Sequence, residues 1–298
     1  MDVEITKMNG DSFRLSEYGV TVRDFDVGSV PVTGIYGTVE GRSGTIDYGA
    51  DYGQRSISVP FYTKANDFAD YPLLRDKLFE IVVSREPIYV REMRRVTYGS
   101  VYGIGSDDDG DRFVGGKRYK VRISGTFDID QQFLYGFGEL AFETVETPFA
   151  ESIGTSMDVH NGGITTDPAL WGFGMGLIAD DESFLYSHTG QTFRIYNAGN
   201  VDVHPFEQML KITISNVSGS RNSFELRNIT NGSKFIVTEG VTSAQTIVID
   251  GANVTSNGLQ YLRKTKRNFI ELNTGWNVFA VIGARGAEVS YDFRFYYL

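Results

Sequence analysis

The densest run of metal-binding side chains is Asp107-Asp108-Asp109-Gly110-Asp111. Calcium is held by several carboxylate and carbonyl oxygens from one short loop, and Asp107, Asp109 and Asp111 fall at the first, third and fifth places of an EF-type loop. The sixth place is Arg112, where the sharp turn needs Gly, and the twelfth is Arg118, where a bidentate Glu belongs. The EF-hand reading therefore fails. An irregular calcium site at Asp107, Asp109 and Asp111 stays as the one metal candidate, against a default of a solvated hairpin tip.

Other catalytic patterns are weaker. Asp180, Asp181 and Glu182 are adjacent in sequence, whereas glycoside hydrolysis needs two carboxyl groups flanking a bond at a set separation. His160, His188 and His204 lie far apart, with no H-E-x-x-H spacing. No Gly-x-Ser-x-Gly elbow occurs, and Gly116-Lys117 is followed by Arg118 rather than by the Ser or Thr of a phosphate-binding loop. The chain has no Cys, which excludes a disulfide framework and Cys-ligated zinc or iron. Neither catalytic residues nor a cofactor are expected. A basic run, Arg263-Lys264-Thr265-Lys266-Arg267, admits a phosphate or partner contact, with a solvated hairpin end as the plainer reading.

The elements that would carry these residues are mostly strands. Phe13, Leu15, Val20, Val22, Phe25 and Val27 read as inward positions on period two, and Ile57, Val59 and Phe61 repeat the alternation. Pro60 places that last strand at an edge or at its end. Gly34 to Gly53 is rich in Gly and polar residues and reads as loop and turn. One helix is expected over 71–84: Asp70 caps it, Pro72 suits its first turn, Leu74, Leu78, Ile81 and Val82 form its buried stripe, and Glu86-Pro87 ends it. After residue 197, the apolar runs Leu210 to Val217, Ser223 to Arg227, Lys234 to Val237, Ala244 to Asp250, Phe269 to Leu272, Asn277 to Ile282 and Val289 to Tyr297 alternate with turn signals. This is the spacing of a β-sandwich.

A chain of 298 residues suggests two domains, and its 13% aromatic content suits pleated sheets. No run is long and apolar enough for a membrane helix, and the start lacks the pattern of a signal peptide, so synthesis in a cytoplasm is expected. The net charge of −10 argues against stable nucleic-acid binding.

The turns come in a fixed order: Asn197-Ala198-Gly199-Asn200 with Pro205 after it, Asn231-Gly232, Ile249-Asp250 leading to Asn257-Gly258, then Gly275 and Asn277. Upstream lie Gly41-Arg42-Ser43-Gly44, Arg55 to Phe61, the helix after Asp70, Gly115-Gly116-Lys117-Arg118-Tyr119, and a strand ending at Phe142 before Thr147-Pro148-Phe149-Ala150. In that order, over nearly the whole chain, these marks resemble the distal tail proteins, or baseplate hubs, of long-tailed phages infecting Gram-positive bacteria, with a length closest to the lactococcal type.

The resemblance implies a mainly β chain. Residues 1–148 would be a ring-forming β-belt domain with the helix, and 149–298 a galectin-like β-sandwich. Residues 150–193, which fit neither cleanly, would be an arm-like extension whose Trp171, Phe173, Phe184 and Tyr186 contact a partner. It further implies a homo-hexameric ring at the phage tail tip, part of the virion and made in the host cytoplasm. That ring would join the tail tube protein, a tail-associated tip protein and the receptor-binding protein, without membrane insertion or enzymatic activity. The alternative is a carbohydrate-binding module for host wall saccharide. Galectin-type sites use a His-Asn-Arg row and a stacking Trp; His204 lacks the row, and Trp276 sits in a hairpin turn where packing is the commoner role.

Overall fold

The computed structural model describes residues 1–94, 116–164, 170–172, 174–178 and 183–298. The chain divides into two compact units, residues 1–150 (with Leu298) and 151–297, both built mainly from antiparallel strands.

The first unit contains β1 (Asp2–Lys7), β2 (Ser12–Arg14), a 3-10 turn (Leu15–Tyr18), β3 (Val20–Val22), β4 (Asp26–Val27), β5 (Val32–Gly37), β6 (Ile46–Tyr52), β7 (Ser56–Lys64), α1 (Asp70–Val82), β8 (Ile88–Met93), β9 (Lys117–Ile123), β10 (Ile129–Gln132) and β11 (Tyr135–Thr144). Its sheet runs β2-β1-β8-β9-β11-β7; β3 and β4 follow one another along the far side of β7, and β10 pairs with the start of β11. Val3, Ile5, Val20, Val22, Ile57, Val59, Phe61, Val90, Val121, Leu140 and Phe142 project from these strands into one core. Helix α1 closes that core with Leu78, Ile81 and Val82, each about 1% exposed. Its capping differs from expectation. The N-cap is Ala69, and Asp67 Oδ1 accepts from Ala69 N (2.7 Å) and Asp70 N (2.8 Å), so the capping carboxylate lies three residues upstream of Asp70.

Three further expectations are corrected. Val27 faces solvent. Pro60 lies in an interior strand, because β7 has β11 on one side and β3 and β4 on the other. Its carbonyl accepts from Arg23 N across the break between β3 and β4, so the missing N–H falls where no ladder partner is needed. The Gly-rich stretch forms the β5–β6 hairpin, with Val32 opposite Tyr52 and Gly34 opposite Ala50. The rings of Tyr36 and Tyr48 lie over Gly34 and Gly37, where a Cβ would meet them at 2.3 and 2.4 Å. Aromatic cover of this kind lets glycines serve in strands.

The second unit contains β12 (Ala150–Thr155), α2 (Ser156–Gly162), β13 (Ser187–Gly190), β14 (Thr192–Asn197), β15 (Leu210–Ser218), β16 (Phe224–Asn228), β17 (Lys234–Val237), β18 (Ile247–Asp250), β19 (Asn253–Ser256), β20 (Leu259–Gln260), a 3-10 turn (Leu262–Lys264), β21 (Gly275–Ile282) and β22 (Gly286–Tyr297). One sheet runs β22-β15-β18-β19-β20, with β12 and β13 also pairing with β22; the other runs β14-β21-β16-β17. Between them lie Phe193, Phe279, Tyr291 and Phe293, with Phe279 and Tyr291 4.9 Å apart. This is a β-sandwich. The run Phe269 to Leu272 is no strand and contributes one bridge, Leu272 to Val203.

Buried asparagines hold the turns. Asn277, with no exposed surface, accepts from Asn228 Nδ2 and Asn273 N (both 2.9 Å) and donates to Asn273 O (2.7 Å) and Gly275 O (3.1 Å). Asn228, equally buried, also donates to Glu271 O (2.9 Å). Asn197 donates to Val201 O (2.9 Å) and accepts from Gly199 N (3.1 Å). A side-chain amide carries both donors and acceptors, so one residue can satisfy the backbone on two sides of a turn.

Residues 150–193 are not an appended arm in their described parts. Thr155 and Asp158 form a capping box that starts α2. The Ser156 hydroxyl donates to Tyr291 O (2.7 Å) and accepts from Phe293 N (3.0 Å), and Ser152 Oγ accepts from Phe295 N (3.0 Å). Tyr297 OH donates to Met175 O (2.8 Å). These residues are fastened to β22 and belong to the sandwich.

Candidate functional site

None of the described aromatics expected as partner contacts is exposed. Trp171 is 8% exposed, with its ring over Gly154 and 6.2 Å from Phe295; Phe184 stacks on Tyr196 at 4.9 Å; Tyr186 is fully buried and donates to Tyr196 O at 2.9 Å. Burial pushes the Tyr186 phenol well above its ordinary range. The expectation of partner contacts at Trp171, Phe184 and Tyr186 is therefore corrected: these rings complete the core of the second unit. Phe173 lies outside the described residues, as do Asp107, Asp109 and Asp111 of the calcium candidate and Asp180, Asp181 and Glu182. Among the described residues no group of acidic and histidine side chains is placed to hold a metal.

The histidines serve the backbone. His160 Nδ1 accepts from Tyr186 N (3.4 Å), and His204 Nδ1 accepts from Phe206 N (3.3 Å). His188 pairs through Nε2 with Leu185 O at 2.9 Å and stacks on Phe193; burial lowers its pKa. Trp276 packs against Tyr196, and the Arg194 guanidinium lies 4.0 Å from its ring centroid. A sugar needs an open aromatic face, and here a cation occupies one.

What the first unit does expose is an apolar hairpin. On β5 and β6, Val32, Tyr36 and Tyr48 are 62%, 65% and 64% exposed, and Ile35 and Tyr52 also face solvent, as does Val39 in the connecting turn. Ile35 and Tyr36 are neighbours on a strand and point to opposite faces, so both faces carry apolar side chains. The hairpin pairs only with itself among the described residues. An isolated hairpin is at best marginal in water, and a large exposed apolar patch marks an interaction site. The sequence held a signal in Tyr36, Tyr48 and Tyr52, but the intervening glycines masked the alternation.

A second apolar group lies at the β10–β11 turn, where Phe133 (71% exposed) meets Phe68 edge-on at 5.2 Å. Phe133 has φ of 62°. A left-handed conformation is uncommon for a bulky residue.

The phage tail protein RIFT-related domain family matches residues 9–144 of the chain. Over the full length, the chain is similar to the crystal structure of the Dit protein (gp 19.1) of phage SPP1, described as a paradigm of the hub adsorption apparatus in phages infecting Gram-positive bacteria. The TM-score is 0.62 at 9% identity, covering 98% of this chain and 99% of that one. A chain of the phage p2 baseplate in its activated conformation with Sr gives a TM-score of 0.41 at 10% identity, covering 98% and 97%. No curated protein matches in sequence. Residues 9–144 thus match the phage tail protein RIFT-related domain family, within a chain that shares the fold of the SPP1 Dit protein.

Proposed function

We propose that this chain is a structural hub of a phage tail tip, part of the virion, in which the first units of six copies close into a ring. The observation that carries this reading is the β5–β6 hairpin, an apolar two-strand element that pairs with no other strand among the described residues and leaves Val32, Tyr36 and Tyr48 more than half exposed. In a ring each copy offers an arm to the next. A contact between unlike surfaces closes into a ring when its rotation permits, and it would bury Tyr36, Tyr48 and Ile35 and supply the packing that the hairpin lacks. The ring's channel would pass DNA without retaining it, which the net charge of −10 supports.

The tail tube protein and a tip protein would stack on the ring's two faces. The second unit would hold the receptor-binding protein, and with Trp171, Phe184 and Tyr186 buried, its contact falls to exposed apolar positions of the same region such as Ile178 and Leu185. A hub of this kind does positional rather than chemical work.

The test is electron microscopy and sedimentation of the purified full chain. A ring with a central hole is expected, and Val32→Ser combined with Ile35→Ser, which keep the aromatic cover of Gly34 and Gly37, should return it to monomers with unchanged circular dichroism. A wild-type chain that stays monomeric at micromolar concentration, or rings that survive both substitutions, would overturn the reading.

A further inference from the structure

The basic run beyond β20 is held in one shape. Thr265 Oγ donates to Leu262 O (2.9 Å) and accepts from Arg267 N (3.1 Å), while Lys266 N donates to Ile236 O (2.9 Å). Lys264 O accepts from both the backbone N (2.8 Å) and the hydroxyl (3.0 Å) of Thr238. Glu239 takes up the Lys264 ammonium at 2.6 Å and accepts from Tyr261 OH at 3.0 Å. The carboxylate of this corner is thereby spent on Lys264.

Beside it opens a cleft of about 470 Å³ lined by Gln260, Leu262, Arg263 and Arg267. Arg263 and Arg267 make no side-chain hydrogen bond or ion pair among the described residues. Arg267 also has φ of 56°. A non-glycine residue held in the left-handed region costs of order 1 kcal/mol or more and persists where its surroundings fix it; such strain clusters at functional sites. Gln260 Nε2 donates to Asn253 Oδ1 (2.9 Å), which leaves its amide oxygen as an acceptor.

From this geometry we infer that the cleft binds a phosphate group, and in particular a phosphate ester on a polyol or sugar. The two guanidinium groups match phosphate oxygens in their planar, forked donor geometry. The Gln260 oxygen accepts from a hydroxyl of the ester, and Leu262 covers its carbon skeleton. The inference is independent of ring formation, since all four residues lie in the second unit.

Calorimetric titration of the full chain with glycerol 3-phosphate, inorganic phosphate and tartrate tests it. Both phosphates should bind more tightly than tartrate, a hydroxylated dicarboxylate. Tighter binding of the ester identifies a carried phosphate as the ligand, and equal binding identifies the free anion. Arg263→Gln and Arg267→Gly should each weaken binding at least tenfold. Arg267→Gly should do so with an unchanged or raised melting temperature, because Gly takes the positive φ without strain. No binding of either phosphate, tartrate binding as tightly, or undiminished binding in both variants would overturn the assignment.

Discussion

Replacing Asn277 with Ala should destabilise the second unit by about 3 kcal/mol, because the loss falls on groups that water does not reach. The Asn277 side chain makes four hydrogen bonds at zero exposure. Asn228 Nδ2 keeps its bond to Glu271 O after the change, so its loss is small. Asn273 N and the carbonyls of Asn273 and Gly275 lose a partner; each orphaned buried group costs about 1–3 kcal/mol, and the partial exposure of Asn273 and Gly275 lowers the sum. For a unit of this size the melting temperature should fall by roughly 10 °C. Asn277→Asp should be worse than Ala, since its second oxygen would face the two carbonyls that the amide now donates to, with a buried charge added. Urea unfolding followed by the fluorescence of neighbouring Trp276 reads both variants. A loss below about 1 kcal/mol, or Asp tolerated better than Ala, would refute the claim that this amide clamps the β21 turn.

Leu78→Asp should cost the first unit about 4 kcal/mol by placing an unpaired charge on the buried stripe of α1, and an unchanged thermal melt would contradict that burial. Ser156→Val should cost about 2 kcal/mol, since Phe293 N loses its acceptor and Tyr291 O a donor; chemical denaturation that shows no loss would mean that α2 is not fastened to β22. Excising residues 156–186 should unfold the second unit, as judged by near-ultraviolet circular dichroism, and a retained sandwich spectrum would restore the idea of a separable arm. Burial holds the phenol of Tyr261 up to about 12 and raises those of Tyr186, Tyr291 and Tyr297. A folded pKa above the unfolded value of about 10 gives stability that is whole below pH 10 and lost as the pH rises through the folded value, so part of the tyrosine ionisation read at 295 nm should be withheld until unfolding. Complete ionisation well before unfolding would contradict the burial.

The parts of the fold that were legible in the sequence are those with local signals. Ile57, Val59 and Phe61 alternate because one face of β7 is buried, and the stripe of α1 repeats because one face of the helix is. β15, β16, β17, β21 and β22 sit between turns that need Gly or Asn, and Asn257-Gly258 shows why: both have positive φ, as a type I′ hairpin requires. What stayed hidden depends on distant partners. β12 has its ladder partner in β22, more than a hundred residues away by the Ser156 to Tyr291 bond, and nothing near Ser152 or Ser156 announces it. Phe184 and Tyr186 do point inward on period two around exposed Leu185, but three residues are too short a run to read. Trp171, Phe184 and Tyr186 looked unclaimed because the core that they join lies largely on strands encountered later. The hairpin was missed for the opposite reason, since its glycines signal turns and only their cross-strand tyrosines reveal a strand.

The dependence of the second unit on β22 also bears on the order in which the chain can fold during synthesis. β12, β13 and β15 are all made before β22, the strand with which each pairs. At translation rates of about 5–20 residues per second, the roughly seventy residues between β15 and β22 take about 3–14 seconds to appear. Through that interval Leu210, Ile212 and Ile214 present an open edge to other nascent chains. The charged and polar residues set between them, such as Lys211 and Thr213, give that waiting edge its protection, and crowding of unfinished chains is the hazard they act against.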